Sequence, residues 1–128
     1  MKNLIIVNGT MGAGKTSVCR ELQELLPKNV FLDGDWCWSM KPFVVNEETK
    51  SLVMSNITFT LNGFLHCGEF ENIIFCWVLH ERSIIDELLS RLDLADCRVR
   101  IFTLTLNEEA LKARLQADVE RGLREPDV

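Results

Sequence analysis

The apolar residues of the chain concentrate in four short runs, separated by longer segments in which apolar positions recur at helical spacing. The runs lie at residues 4–7, 30–32, 73–79 and 99–106. Short runs that are rich in β-branched residues and bounded by polar or turn residues are typical of strands buried on both faces of a parallel sheet. We therefore predict four strands.

The segments between these runs predict helices. Apolar residues at helical spacing begin at Val18 and stop before Pro27, which ends the first helix. Asn46, followed by two glutamates, is typical of a helix N-terminus, with a capping side chain ahead of acids in the first turn. Residues 83–92 predict a third helix, and Asn107 is expected to cap a fourth.

Strands and helices thus alternate four times along the chain. This order predicts right-handed crossovers and a three-layer α/β domain built on a parallel sheet, with residues 1–128 forming a single domain. Ligands of such domains bind at the carboxyl ends of the strands, so motifs that follow the strands are expected to share one cleft.

Composition narrows the class of protein. The chain has 128 residues, 47% hydrophobic and 26% charged, which is typical of a soluble globular domain. Its net charge of −5 disfavours long nucleic acids and anionic membranes as partners. No signal peptide or membrane-spanning stretch is visible, and the five cysteines include no C-x-x-C pair. We expect a cytoplasmic protein with reduced, mostly buried thiols and no membrane partner.

The turn after the first run carries the strongest motif. It matches the pattern G-x-x-x-x-G-K-[ST] of a phosphate-binding P-loop, with Ser17 as the next residue of the helix. The matching residues are Gly9, Thr10, Met11, Gly12, Ala13, Gly14, Lys15 and Thr16. Such a loop wraps its amide groups around phosphate, its lysine reaches the β- and γ-phosphates, and its hydroxyl is a ligand of Mg²⁺. The motif predicts a site for a nucleoside triphosphate.

Two carboxylates follow the second run. Asp33 and Asp35 flank Gly34, and residues two apart on a strand point to the same side. One carboxylate is expected to accept a proton from an attacking hydroxyl, and the other to orient the acceptor or to bind Mg²⁺ through water. An ordinary Asp-Gly turn is the alternative.

With the P-loop and the Leu-Asp-Gly-Asp segment 32–35 in place, the chain resembles the small P-loop kinases of the shikimate, gluconate and adenylylsulfate kinase group, which are relatives of the nucleoside monophosphate kinases. The resemblance implies the P-loop NTPase type of sheet, with ATP and Mg²⁺ as cofactors. It also implies an acceptor region at residues 36–70 and a lid at about 114–128.

The resemblance extends to arginines near the end of the chain. Arg114 matches an arginine that lies against the adenine ring in that group, and Arg121 matches one in the lid that closes over the phosphates. Arg124 adds to the lid. A surface stripe of solvated basic residues is the alternative for these arginines.

Three departures from the group limit what the resemblance implies. Residues 75–80 contain no glycine, whereas shikimate kinases have a glycine cluster there, so shikimate is disfavoured as acceptor. The third strand also lacks the acid that helps many P-loop proteins to hold Mg²⁺, so Asp33 would have to assist Thr16. The chain ends at Val128, whereas the group continues with a further strand and helix. We expect either a truncated product or a sheet completed by a partner chain in a homo-oligomer.

These observations together predict an ATP-dependent phosphotransferase, in which Lys15, Asp33, Asp35 and Arg121 act on a small-molecule or nucleotide acceptor. A slowly hydrolysing switch or regulatory module and a truncated, inactive kinase remain alternatives. Trp36 and Trp38 are equally compatible with stacking on an acceptor and with packing onto the sheet. His80 is equally compatible with a substrate contact and with a surface turn.

Overall fold

The computed structural model describes residues 1–9, 14–78 and 82–104 of the chain. Within them lie four strands: β1 (Lys2–Asn8), β2 (Asn29–Asp33), β3 (Asn72–Trp77) and β4 (Cys97–Thr103). The helices are α1 (Lys15–Leu25), α2 (Glu47–His66) and α3 (Arg82–Ser90), and a 3₁₀ helix spans Gly34–Trp38. The predicted fourth helix, beginning at Asn107, falls outside the described residues.

All four strands are parallel and form one sheet in the order β2-β3-β1-β4. This confirms the predicted α/β class. The central position of β1 follows from its sequence, because Leu4, Ile5, Ile6 and Val7 are all buried and therefore need cover on both faces. Neighbouring carboxyl ends lie level, since Val7 is opposite Cys76 and Cys76 is opposite Asp33.

The two faces of the sheet carry separate hydrophobic clusters. Leu4 and Ile6 pack with residues of α2 and α3, whereas Ile5 and Val7 pack with residues of α1. Successive side chains of a strand point to opposite faces, so the continuous apolar run of β1 serves both clusters. The sheet is thus the middle of three layers, with α1 on one face and α2 and α3 on the other.

The predicted N-terminus of α2 is confirmed. Asn46 is the N-cap and accepts a hydrogen bond from the amide of Thr49 at 2.9 Å. The Thr49 hydroxyl in turn accepts one from the amide of Asn46 at 2.9 Å, which completes a capping box. This local signal fixes the start of the helix in spite of its β-branched residues.

None of the described cysteines is in a disulfide: Cys19 and Cys76 are buried, and the other three are half-buried. A hydrogen bond with Cys76, together with burial, raises the pKa of the Cys19 thiol. Among the described helices, none combines the length and the apolar character needed to cross a membrane.

The packing of α2 gives a stability prediction. Leu61 is fully buried in the cluster shared with α3, whereas Phe59, two residues earlier, is 83% exposed. Leu61→Ala should lower the free energy of unfolding by about 2–5 kcal/mol, because it leaves a cavity in a packed core. Urea unfolding followed by circular dichroism measures the change.

Phe59→Ala is the control on the same helix, and its effect should stay within about 0.5 kcal/mol. Equal losses for the two variants would contradict the packing described for α2.

Candidate active site

The turn between β1 and α1 ends at a glycine of the P-loop motif. Gly14 is the N-cap of α1 with φ 84° and ψ 22°, a left-handed conformation that glycine adopts readily. No side chain caps this helix and its first turn contains no acid, so the helix N-terminus suits an anion. Of the predicted loop, residues 10–13 lie outside the described part of the chain.

The next residues carry the chemistry of the motif. The Lys15 side chain is buried, with 9% of the residue exposed, whereas Thr16 and Ser17 are exposed at the first turn of α1. The Thr16 hydroxyl donates a hydrogen bond to Oδ2 of Asp33 at 3.4 Å. The motif's hydroxyl is therefore held beside a buried carboxylate, and the buried lysine precedes it in the chain.

The contact between Thr16 and Asp33 spans one strand. β1 and β2 are not neighbours in the sheet, because β3 lies between them. Asp33 still reaches α1, because it is the last residue of β2 and lies level with the end of β1. The carboxyl ends of three strands thus meet at one edge, as predicted for a shared cleft.

The predicted geometry of the two aspartates is wrong in one respect. β2 ends at Asp33, and Asp35 belongs to the 3₁₀ helix, so the alternation of a strand does not apply to the pair. Oδ1 of Asp33 accepts a hydrogen bond from the amide of Asp35 at 2.9 Å and thereby caps the 3₁₀ helix. Asp33 is buried beside Thr16, whereas Asp35 is exposed. The two carboxylates therefore differ in their surroundings.

Gly34 allows a close approach of the backbone to an aromatic side chain. A Cβ atom at this position would lie 2.6 Å from both Cγ and Cδ1 of Trp77, at the end of β3. Carbon atoms that are not bonded to each other do not approach so closely, so a side chain at this position would force the surroundings to move. The absence of a side chain at Gly34 is thus what lets the Trp77 indole lie against the turn between the two aspartates.

An open cavity of about 800 Å³ lies at the same edge of the sheet. Its walls come from the 3₁₀ helix, the segment before α2, the first half of α2, the end of β3 and α3. The lining residues are Asp35, Trp38, Phe43, Val45, Glu47, Lys50, Ser51, Met54, Trp77, Val78, Ile84, Glu87 and Arg91. Such a volume is typical of small-molecule sites.

The two tryptophans of the 3₁₀ helix have different environments. Trp38 is half-buried, lines the cavity and contacts the ring of Phe43, with 5.7 Å between centroids. Trp36 meets Phe31 edge to face at 5.3 Å, and Phe31 belongs to the cluster on the α1 side of the sheet. Only Trp38 of this pair faces the cavity.

The remaining predicted residues lie outside the described residues, so their roles stay predictions: Arg114, Arg121, Arg124 and His80. His66 is described, and its Nε2 lies 2.8 Å from Oδ2 of Asp93 on the surface. The hydrogen bond with His66 lowers the pKa of the Asp93 carboxyl.

Thr16 and Asp33 fit the predicted metal role. A hydroxyl and a carboxylate held together supply the oxygen ligands that Mg²⁺ prefers, and Mg²⁺ commonly uses one or two protein ligands beside water and phosphate. In residues 1–9, 14–78 and 82–104, no three histidine, cysteine, aspartate or glutamate side chains are grouped to hold a metal ion.

Sequence reasoning did not single out most residues of the cavity wall, among them Trp77, Lys50 and Arg91. Trp77 carries a usable signal, because it lies in the second half of the apolar run 73–79 and therefore near the carboxyl end of a strand. Lys50 and Arg91 have no such signal, since they reach the cavity only through the way α2 and α3 pack against the sheet.

Four parallel strands in the order β2-β3-β1-β4, with the P-loop motif after β1 and its lysine at the start of α1, define a P-loop domain with the fold of the small P-loop kinases. The chain belongs to the AAA domain family, which matches residues 5–125. No curated protein matches the sequence.

Solved structures with this fold include three kinases. A sugar kinase from Janibacter sp. HTCC2649 is 16% identical with a TM-score of 0.64, over 91% of this chain and 67% of its own. A gluconokinase from Sinorhizobium meliloti 1021 is 19% identical with a TM-score of 0.59, over 90% and 64%. The APS kinase of Mycobacterium tuberculosis, as a Cys556Ala mutant, is 12% identical with a TM-score of 0.62, over 94% and 97%. The resemblance predicted from the sequence is confirmed at the level of fold.

The contact between Gly34 and Trp77 gives a second prediction. Gly34→Ala should destabilise the protein by about 1–3 kcal/mol, because the new methyl group forces the indole or the turn to move. Urea unfolding measures the loss, and near-ultraviolet circular dichroism reports the change around the tryptophan.

Gly63→Ala is the matched control. Nothing lies within 4 Å of a Cβ at Gly63, which is inside α2, so alanine there should stabilise by about 0.5–1 kcal/mol. A gain of stability in both variants would show that Trp77 does not press on Gly34.

Proposed function

We propose that this domain is an ATP-dependent phosphotransferase that moves the γ-phosphoryl group to a small-molecule or nucleotide acceptor. The observation that carries the proposal is the pairing of Thr16 with Asp33 beside the buried Lys15, at the same sheet edge as the cavity lined by Asp35. A phosphate-binding element and an acceptor-sized cavity thus adjoin each other.

On the nucleotide side, Lys15 and the amide groups at the start of α1 bind the phosphates of ATP. Lys15 stabilises the charge that develops on the transferred group. Bound Mg²⁺ would neutralise phosphate charge there, and Thr16 and Asp33 are the side chains that would hold it. The low exposure of Lys15 and Asp33 supports this assignment, because electrostatic interactions are stronger away from bulk water.

On the acceptor side, the different surroundings of Asp33 and Asp35 support different roles for the two carboxylates. Asp33 is occupied by Thr16 and by the amide of Asp35, so it acts with the nucleotide. Asp35 is exposed on the cavity wall and is the carboxylate that accepts the proton of an attacking hydroxyl. Residues 36–70 form the acceptor region, in keeping with the seven cavity residues that lie in this range.

The proposal also includes a lid, which is implied by the resemblance to the small P-loop kinases. Arg121 closes over the phosphates and stabilises spreading charge, and Arg114 stacks on the base. Closure of residues 114–128 excludes water from the transfer.

Removal of the Lys15 charge tests the nucleotide side. Lys15→Gln should lower Mg-ATP turnover about a hundredfold or more, because one preorganised cation is lost from the developing charge. Coupled assays of ADP release over a panel of alcohols and nucleoside monophosphates measure it.

Lys28→Gln is the charge-matched control, since Lys28 is exposed and lies before β2, at the opposite end of the strands from Thr16 and Asp33. Comparable losses for both lysines would argue against a P-loop role for Lys15.

Replacing Asp33 and Asp35 one at a time distinguishes a kinase from a slowly hydrolysing switch. Asp33→Asn keeps the oxygen that caps the 3₁₀ helix but loses the charge, so it should raise the Mg²⁺ concentration needed for half-maximal turnover. Asp35→Asn should leave that concentration unchanged and lower acceptor-dependent turnover about a hundredfold or more, in the range of general-base loss.

Titrations of Mg²⁺ and of acceptor with each variant make this distinction. Full activity of Asp35→Asn together with acceptor-independent ATP hydrolysis would favour the switch and contradict the kinase.

A further inference from the structure

The cavity wall offers flat aromatic surfaces. Trp38, Phe43 and Trp77 all line it, and Met54 and Ile84 add apolar surface between them. The Trp38 ring is braced by Phe43 at 5.7 Å, and the Trp77 ring by Phe75 at 6.1 Å and by the backbone of Gly34. Held in place on several sides, these rings form a preorganised platform on which the face of another ring or of a sugar can stack.

The charged residues of the cavity wall disfavour the binding of an anion. Its described cations are Lys50 and Arg91, and each has an acidic partner one turn away that also lines the cavity. Lys50 Nζ lies 3.7 Å from Oε1 of Glu47, and a nitrogen of Arg91 lies 2.8 Å from Oε1 of Glu87. Asp35 adds a further carboxylate, so acids outnumber cations among the described lining residues.

From these two features we propose that the acceptor is an uncharged alcohol that carries a ring, aromatic or sugar, and that a phosphate or carboxylate group on the acceptor weakens its binding. The proposal rests on the proposed function, because it identifies the chemistry of the acceptor site of the same reaction. The ring stacks on Trp38 and Trp77, and its hydroxyl faces Asp35.

An anionic acceptor would meet two costs in this wall. To bind Arg91 it would have to compete with Glu87, and the displaced carboxylate would remain within the same cavity. It would also approach Asp35, the carboxylate that the transfer requires in its charged form. Like charges brought together disfavour binding, and this repulsion is how a site rejects a molecule of otherwise suitable shape.

Binding of matched molecules in the absence of ATP tests the proposal. Thymidine and thymidine 5′-monophosphate share a ring system and differ by the phosphate, and glucose and glucuronate differ by a carboxylate. Calorimetric titration of the whole chain should show tighter binding of the uncharged member in at least one pair, and Trp77→Leu should weaken it severalfold. Tighter binding of the anionic members, or no binding of any of the four, would overturn the proposal.

The ion pair between Glu87 and Arg91, at the end of α3, allows a test that changes the charge of the cavity wall and little else. Glu87→Gln releases Arg91 into the cavity and should shift the preference toward thymidine 5′-monophosphate by about two- to fivefold, the range expected from a partly exposed ion pair. An unchanged preference in this variant would overturn the role assigned to the pair.

Asp86→Asn is the control for that variant. It breaks an ion pair of the same spacing on the same helix, 3.1 Å between Arg82 and Asp86, and neither residue lines the cavity. The preference should therefore stay as in the unaltered chain, and an equal shift in both variants would trace the effect to net charge and overturn the proposal.

Failure of this proposal and failure of the proposed function give different results. If Mg-ATP turnover depends on Lys15 and anionic acceptors bind best, phosphotransfer stands and the acceptor chemistry proposed here is overturned. If the uncharged ring binds as expected but is not phosphorylated in a Lys15-dependent manner, the binding site stands and the phosphotransferase assignment is overturned.

Discussion

The carboxylate of Asp33 joins the two halves of the candidate site. One of its oxygens accepts a hydrogen bond from Thr16 at the start of α1, and the other caps the 3₁₀ helix through the amide of Asp35. A buried carboxylate needs such partners, since an unpaired charge in this position would be costly. The orientation of the turn that carries Asp35 therefore depends on the same side chain that lies beside the phosphate-binding motif.

The sheet makes this arrangement feasible. Because all strands are parallel and β3 lies between β1 and β2, the ends of the three strands fall at one level. Burial of β1 on both faces fixes its register through Leu4 to Val7. A shift of one residue would exchange the residues packed against α1 with those packed against α2 and α3, so the core holds the site in place.

Parts of the site that depend on residues close together in the sequence can be predicted from it, whereas parts that depend on distant residues cannot. Gly14, Lys15 and Thr16 follow from a local motif, and the α2 N-terminus follows from Asn46, whose capping contacts span only three residues. The strand alternation assumed for Asp33 and Asp35 failed, because the chain leaves the strand at Asp33 and turns into a 3₁₀ helix. Lys50 and Arg91 meet the cavity only through helix packing, which no short pattern encodes.

Gly34 also joins the two halves of the candidate site, but through a contact with the cavity wall instead of the P-loop motif. Its missing side chain admits Trp77, which would otherwise collide with the turn, and Trp77 in turn forms part of the cavity wall. In the proposed reaction, the segment 33–35 thus has two roles: Asp33 acts on the nucleotide side, and Gly34 shapes the acceptor side. In the proposed reaction, the phosphate chemistry and the choice of acceptor rest on separate parts of the fold, because Trp38 and Lys50 of the wall lie on other elements than Lys15 and Thr16. The residues of the wall, and not the fold itself, would therefore set what the site accepts.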